Sequence, residues 1–230
     1  MDDSVAREDA VRIPAGAIEL DGDLHLPPHP LGMVVFAHGS GSSRHSPRNR
    51  QVAAVLQQAG AATLLMDLLT PEEEQADLRT GHLRFDIGLL ARRLVAAVDW
   101  VAGQPWDAGA AIGLFGASTG AGAALVAAAT RPEPVRAVVS RGGRPDLAGQ
   151  ALERVRAPTL LIVGGDDPTV VELNRDALGR LRAEKRLVVV PGASHLFEEP
   201  GKLAEVARLA TAWFVEHLGA PGWRRVPGEG

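Results

Sequence analysis

The stretch Ala111-Ile112-Gly113-Leu114-Phe115-Gly116-Ala117-Ser118-Thr119-Gly120 joins an apolar run to a G-x-S-x-G pentapeptide, and an alanine-rich segment follows directly, through residue 129. Strand, sharp turn and helix in that order are what a nucleophile elbow requires. Glycines suit positions 116 and 120 because a side chain at either would collide with the neighbouring strand or with the departing helix. The turn lifts the Ser118 hydroxyl above the sheet. It also leaves the N–H of Thr119, at the helix start, without an intrahelical acceptor and able to face a developing oxyanion. In a chain with 26 glycines the pentapeptide alone could equally be a glycine-flanked helix cap; its strand-turn-helix setting favours the elbow.

A serine hydroxyl is a weak nucleophile at neutral pH, so Ser118 calls for a base and for a carboxylate to orient that base. Downstream, Leu160-Leu161-Ile162-Val163-Gly164-Gly165-Asp166-Asp167 is an apolar strand running out into glycines and acids. Leu187-Val188-Val189-Val190-Pro191-Gly192-Ala193-Ser194-His195 is another, leading to one histidine. Ser118, Asp167 and His195 thus lie just past the carboxyl ends of three predicted strands, in the chain order Ser, Asp, His. Asp167 is favoured over Asp166 because Gly164 to Val170 fits G-x-x-D-x-x-V, with the valine packing below the acid and Asp166 in the turn. Taken singly, Asp167 could be a helix N-cap and His195 a solvent-facing loop residue. Upstream, His38-Gly39-Ser40-Gly41 follows a third apolar run, and the Ser40 N–H is the candidate second oxyanion donor beside Thr119. His38 itself reads as a structural residue at the strand end.

Outward from these motifs, short β-branched runs alternate with amphipathic or alanine-rich stretches, the pattern of an α/β fold around a mostly parallel sheet. Strands are expected at 11–13, 17–24, 33–38, 61–66, 110–115, 135–140, 159–163 and 187–190, and helices near 47–59, 83–102, 118–130, 146–154, 170–182 and 201–218. The first two strands are separated by little more than Gly16 and read as an antiparallel hairpin. The expectation is a doubly wound, mostly parallel eight-stranded sheet in one domain over 1–218, with no large cap. A glycine- and proline-rich tail follows at 219–230, ordered only where Trp223 finds a surface.

Composition narrows the chemistry. With no cysteine there is no disulfide, no thiolate metal site and no thiol nucleophile. A net charge of −4 argues against a general nucleic-acid binder. Met1-Asp2-Asp3-Ser4 offers no basic leader, and no apolar run is long enough for a membrane span, so a cytoplasmic protein acting on small molecules is expected. No dinucleotide fingerprint, phosphate loop or metal-ligand spacing appears, and no cofactor or metal is expected. Although the chain is acidic, arginines gather in loops expected around the serine: Arg44, Arg48 and Arg50 after the third strand, Arg141 and Arg144 after the sixth. Arg44, Arg141 and Arg144 are candidate binders of a substrate anion, with pairing to acids such as Asp67, Glu72, Asp86 or Asp146 as the plain alternative.

The H-G-x-G loop, the elbow at Ser118, the G-x-x-D-x-x-V segment at Asp167 and Gly192-Ala193-Ser194-His195-Leu196-Phe197 together resemble the dienelactone-hydrolase-like branch of the α/β-hydrolases, over nearly the whole chain. The best-known members use a cysteine nucleophile. The resemblance here is to serine members, some joined to a phosphoribosyltransferase domain, and it does not carry over the dienelactone substrate. It implies the α/β-hydrolase fold and a serine hydrolase cleaving a small ester or lactone through an acyl-enzyme, with the arginines favouring an anionic substrate. Acyl transfer by the same triad and a non-catalytic anion-binding module are the alternatives.

Overall fold

The computed structural model describes residues 6–104 and 111–219. The expected tail and the expected start of a strand at Ala110 fall outside these residues, apart from Gly219.

Eight strands form one sheet in the order β1-β2-β4-β3-β5-β6-β7-β8. β1 (Arg7–Ala15) and β2 (Ile18–Leu26) are the expected hairpin, longer than the sequence suggested, turning at Gly16 with φ 73°. β2 runs antiparallel to β4 (Ala62–Met66). β4, β3 (Met33–Ala37), β5 (Ile112–Ala117), β6 (Val135–Arg141), β7 (Thr159–Gly164) and β8 (Lys185–Val190) are all parallel. The central strands are wholly buried and so read as continuous apolar runs rather than alternating ones.

Helices cover both faces, and the pleat divides the core accordingly. Met33, Val35, Ile112 and Leu114 point to the face covered by α3 (Ile87–Ala102) and α4 (Thr119–Thr130). Val34, Phe36, Phe115 and Val139 point to α1 (Pro47–Gln58) and α6 (Lys202–Leu218). On that side Phe36 and Phe115 pack with ring centroids 4.8 Å apart. α5 (Pro168–Arg180) closes the far end over β7 and β8. No helix among the described residues is long and apolar enough to cross a membrane.

Three elements differ from expectation. No element is expected between the strand at 61–66 and the helix at 83–102, yet α2 (Pro71–Thr80) forms there. It is held by a capping box in which the Thr70 hydroxyl accepts from Glu73 N and the Glu73 carboxylate accepts from Thr70 N, with Pro71 in the first turn and Gly81 left-handed at the end. The helix expected over 83–102 begins as a short 3₁₀ turn, Leu83–Phe85. It restarts at Ile87 because Asp86 caps it, accepting from Leu89 N at 2.8 Å. The helix expected over 146–154 is instead 3₁₀ over Pro145–Arg154, broken where Gly149 takes φ 53°.

Candidate active site

The parallel strands end along one edge of the sheet, and the candidate residues gather there. β5 ends at Ala117, and Ser118 turns the chain into α4 with φ 50° and ψ −121°, a conformation that costs a non-glycine residue about 1–3 kcal/mol. Close packing fixes the turn. A Cβ at Gly116 would sit 2.4 Å from Ala121 Cα, and one at Gly120 would sit 2.3 Å from the Ala37 carbonyl oxygen. Both glycines are therefore required by contact distance, as the motif implied. Ser118 N–H donates to Arg141 O at 3.2 Å, which ties the elbow to the end of β6.

His195 lies in the loop after β8, with Nε2 3.4 Å from Ser118 Oγ and Nδ1 2.8 Å from Asp167 Oδ2. Of the adjacent acids, Asp167 is thus the one brought to the histidine; Asp166 uses its N–H on Ala193 O at 3.0 Å. Asp167 also caps α5, its other oxygen accepting from Val170 N at 3.4 Å. The helix cap and the contact to His195 coexist, because each uses a different oxygen. The Nδ1 contact to a carboxylate sets the tautomer with the proton on Nδ1 and leaves Nε2 as an acceptor for the serine proton. The histidine loop is held from below by Glu199, whose carboxylate accepts from Ser194 N at 3.1 Å.

The loop after β3 passes directly over the serine: a Cβ at Gly39 would lie 3.1 Å from Ser118 Cβ. The Ser40 N–H points to the elbow and donates to Thr119 Oγ1 at 2.9 Å. An oxyanion seated between Ser40 and Thr119 has to share or displace that hydroxyl. His38 is structural in this arrangement. Its Nδ1–H donates to Gly39 O at 2.9 Å and its Nε2 accepts from Leu68 N at 3.1 Å, so it pins the β3 loop to the β4 loop. Burial lowers its pKa, against smaller opposing effects of the Gly39 carbonyl and Asp67, and the two backbone contacts fit the neutral ring.

Two of the three candidate arginines are held by protein carboxylates. Arg44 donates to Asp67 from both its backbone N–H and its guanidinium, with Asp23 3.3 Å from Nε. Arg144 makes a paired contact to Asp146 at 2.8 and 2.9 Å. A fork already filled by a carboxylate has little left to offer a substrate anion. Arg48 and Arg50 are likewise paired, with Glu198 and Asp23. Arg141 differs. It is 5% exposed, donates weakly to Asn49 Oδ1 at 3.3 Å, leaves Nε without a partner, and has no carboxylate against it among the described residues. Burial and the neighbouring Arg48 pull its pKa down to about 10.

A cavity of about 140 Å³ adjoins the oxyanion loop, bounded by Gly39 to Ser42 on one side and by Leu68, Leu69, Glu74, Leu78 and Arg84 on the other. Glu74 was not singled out, and the signal that could have placed it was the Thr70/Glu73 capping box, which fixes the helix one residue earlier. Among the described residues, one further group could bring three metal-ligand atoms together: Glu184, Glu216 and His217. It involves the segment entering β8, at the opposite edge of the sheet from Ser118.

Relatives agree with this architecture. A profile of the dienelactone hydrolase family matches residues 20–217. Proteins of two Mycobacterium tuberculosis strains, each named "Putative phosphoribosyl transferase", are 59% identical over 220 residues, which is 96% of this chain and 49% of theirs. The chain spans about half the length of these curated relatives. A dienelactone hydrolase from Anabaena variabilis superimposes with a TM-score of 0.91 at 64% identity, covering 93% of this chain and 99% of that one. A dienelactone hydrolase-like promiscuous phosphotriesterase from metagenomic libraries has the same fold, with a TM-score of 0.76 at 22% identity, covering 93% of this chain and 99% of its own. With its sheet order, its serine elbow and a family match spanning nearly the whole sheet, this chain belongs to the dienelactone hydrolase family.

Proposed function

We propose that the chain is a serine hydrolase that cleaves a small ester or lactone through an acyl-enzyme, with Ser118 as nucleophile, His195 as general base and Asp167 as its orienting carboxylate. The observation that carries this reading is the continuous row Asp167 Oδ2, His195 Nδ1, His195 Nε2 and Ser118 Oγ, spaced at 2.8 and 3.4 Å. The 3.4 Å step is long for a hydrogen bond, as such contacts often are before substrate tightens them.

In the first step His195 Nε2 takes the Ser118 proton while Oγ bonds to the carbonyl carbon. The N–H groups of Ser40 and Thr119 hold the oxyanion, and His195 returns the proton to the departing alkoxide as the C–O bond breaks. In the second step water adds to the acyl-enzyme with His195 again as base, releasing the acid and Ser118. Acyl transfer to another acceptor would use the same atoms, and no feature of the site favours it. A purely binding role leaves the strained Ser118 backbone without purpose, since strain of this kind is kept where the exposed hydroxyl is used.

The preference for an anion is not carried forward. Arg44 and Arg144 are occupied by carboxylates, and Arg141 is buried against Asn49. In this reading the phosphoribosyl transferase named for the mycobacterial relatives belongs to the part of those proteins that the chain does not match. Steady-state kinetics on short p-nitrophenyl esters and small lactones test the proposal. Ser118→Ala is expected to lower kcat about 10³-fold or more with the fold intact, and an unchanged rate would overturn it.

A further inference from the structure

The cavity beside the oxyanion loop is closed on its outer side by α2, and α2 is fixed in place. Its start is locked by the Thr70/Glu73 box, and Glu73 also accepts from Arg93 at 2.7 Å. At its end Asp77, 1% exposed, accepts from Leu83 N at 2.6 Å and from Arg84 Nε at 2.5 Å. The wall is therefore preformed. Its lining from Leu68, Leu69, Leu78 and Leu90 is apolar, and at about 140 Å³ the space suits a group near the size of benzene, comparable to a cavity of ~150 Å³ known to take that molecule.

Of the charged side chains that line the cavity, Asp77 and Arg84 pair with each other and Glu74 is left over. The Glu74 carboxylate is half-buried and, among the described residues, has neither a hydrogen-bond donor nor an ion-pair partner. The cations near it are committed elsewhere, Arg44 to Asp67 and Arg84 to Asp77. Burial and the Asp67 charge raise its pKa, against smaller effects of Arg44 and Arg84, as expected of an acid short of positive charge.

Resting on the hydrolase reading above, we propose that this cavity is a substrate subsite selecting a compact cationic group, an ammonium carried on a short arm of the ester, with the leucines covering its carbon substituents and Glu74 supplying the counter-charge. A substrate carrying a carboxylate on that arm would meet like charge instead. This reverses the polarity that the clustering of arginines in the sequence implied.

Pairs of esters equal in shape and differing only in charge test it. Choline acetate is compared with 3,3-dimethylbutyl acetate, and p-nitrophenyl 4-(trimethylammonio)butanoate with p-nitrophenyl 5,5-dimethylhexanoate. These place the charge on the alcohol and on the acyl arm respectively. The cationic member of at least one pair is expected to have a kcat/KM about three- to tenfold higher at low salt, the scale of a partly exposed ion pair. The ratio is expected to shrink in 0.5 M NaCl and to fall to about one in Glu74→Gln. A ratio within one protein preparation is insensitive to loss of folded enzyme. Ratios of one in both pairs, or a preference that survives Glu74→Gln, would overturn the subsite while leaving Ser118 hydrolysis standing. Failure to turn over any of the four esters while short p-nitrophenyl esters are hydrolysed would overturn the subsite alone, and failure on the short esters as well would remove the hydrolase reading and this proposal with it.

Discussion

Replacing Arg141 by methionine should stabilise the protein. The guanidinium is 5% exposed, has one long hydrogen bond to Asn49 and, among the described residues, no carboxylate against it, and burial and Arg48 pull its pKa down from the ordinary guanidinium range to about 10. That drop corresponds to about 3 kcal/mol against the charged form, at roughly 1.4 kcal/mol per tenfold change. At pH 7 the residue is charged in both folded and unfolded chains, so the whole cost is present there, and it is relieved only as pH rises above about 10. Methionine keeps most of the packing volume and removes the cost, at the loss of the Asn49 contact, which leaves a buried oxygen without its donor and costs about 1–2 kcal/mol. A net gain of about 1–2 kcal/mol would raise Tm by roughly 2–8 °C for a domain of this size. Thermal and urea unfolding at pH 7 measure it. Destabilisation by several kcal/mol would refute the reasoning and show the charge to be well compensated. A selective rise in KM for carboxylate-bearing esters, with neutral esters unaffected, would instead give Arg141 an anion-binding role.

Two further outcomes follow from the site. Asp167→Asn should cost kcat far more than Asp166→Asn, about 10⁴-fold if it acts as in other serine triads, because only Asp167 reaches His195 Nδ1; a reversed order in ester kinetics would break the assignment. His38, whose pKa burial lowers, should make the protein lose stability on the acid side. Below its ordinary value of 6.5 the unfolded chain takes up a proton that the folded one refuses, so stability falls by up to about 1.4 kcal/mol per pH unit until the folded pKa is reached. His38→Asn should unfold more easily at pH 8, having lost the bridge between the β3 and β4 loops, yet show a shallower decline to pH 5. Equal slopes in urea titrations at several pH values would contradict this.

The sheet and the three residues at its edge were legible because each depends on local signals. A buried parallel strand is a continuous apolar run, and a loop that must approach another backbone closely needs glycine, as at 116 and 120. α2 was illegible because Pro71 to Thr80 has no apolar periodicity. Its one large apolar side chain, Leu78, is 78% exposed, so capping holds the helix rather than burial. The arginine loops misled for a different reason. Asp67, which holds Arg44, arrives from the strand after the intervening helix, and Asp21 and Asp23 come from the hairpin. A local count of charges cannot see carboxylates delivered by pairing of distant strands. The capping box could have placed Glu74 on a helix, but its lack of a partner is a property of the assembled wall and not of the sequence around it.

The claim that His195 and Asp167 activate Ser118 is tested most directly by covalent labelling with a fluorophosphonate, followed by mass spectrometry of the intact protein and of its peptides. The account predicts a single adduct on Ser118. Labelling should slow by orders of magnitude in His195→Ala and be abolished in Ser118→Ala, with all three proteins folded. An adduct at another residue, or equal labelling rates with and without His195, would contradict it.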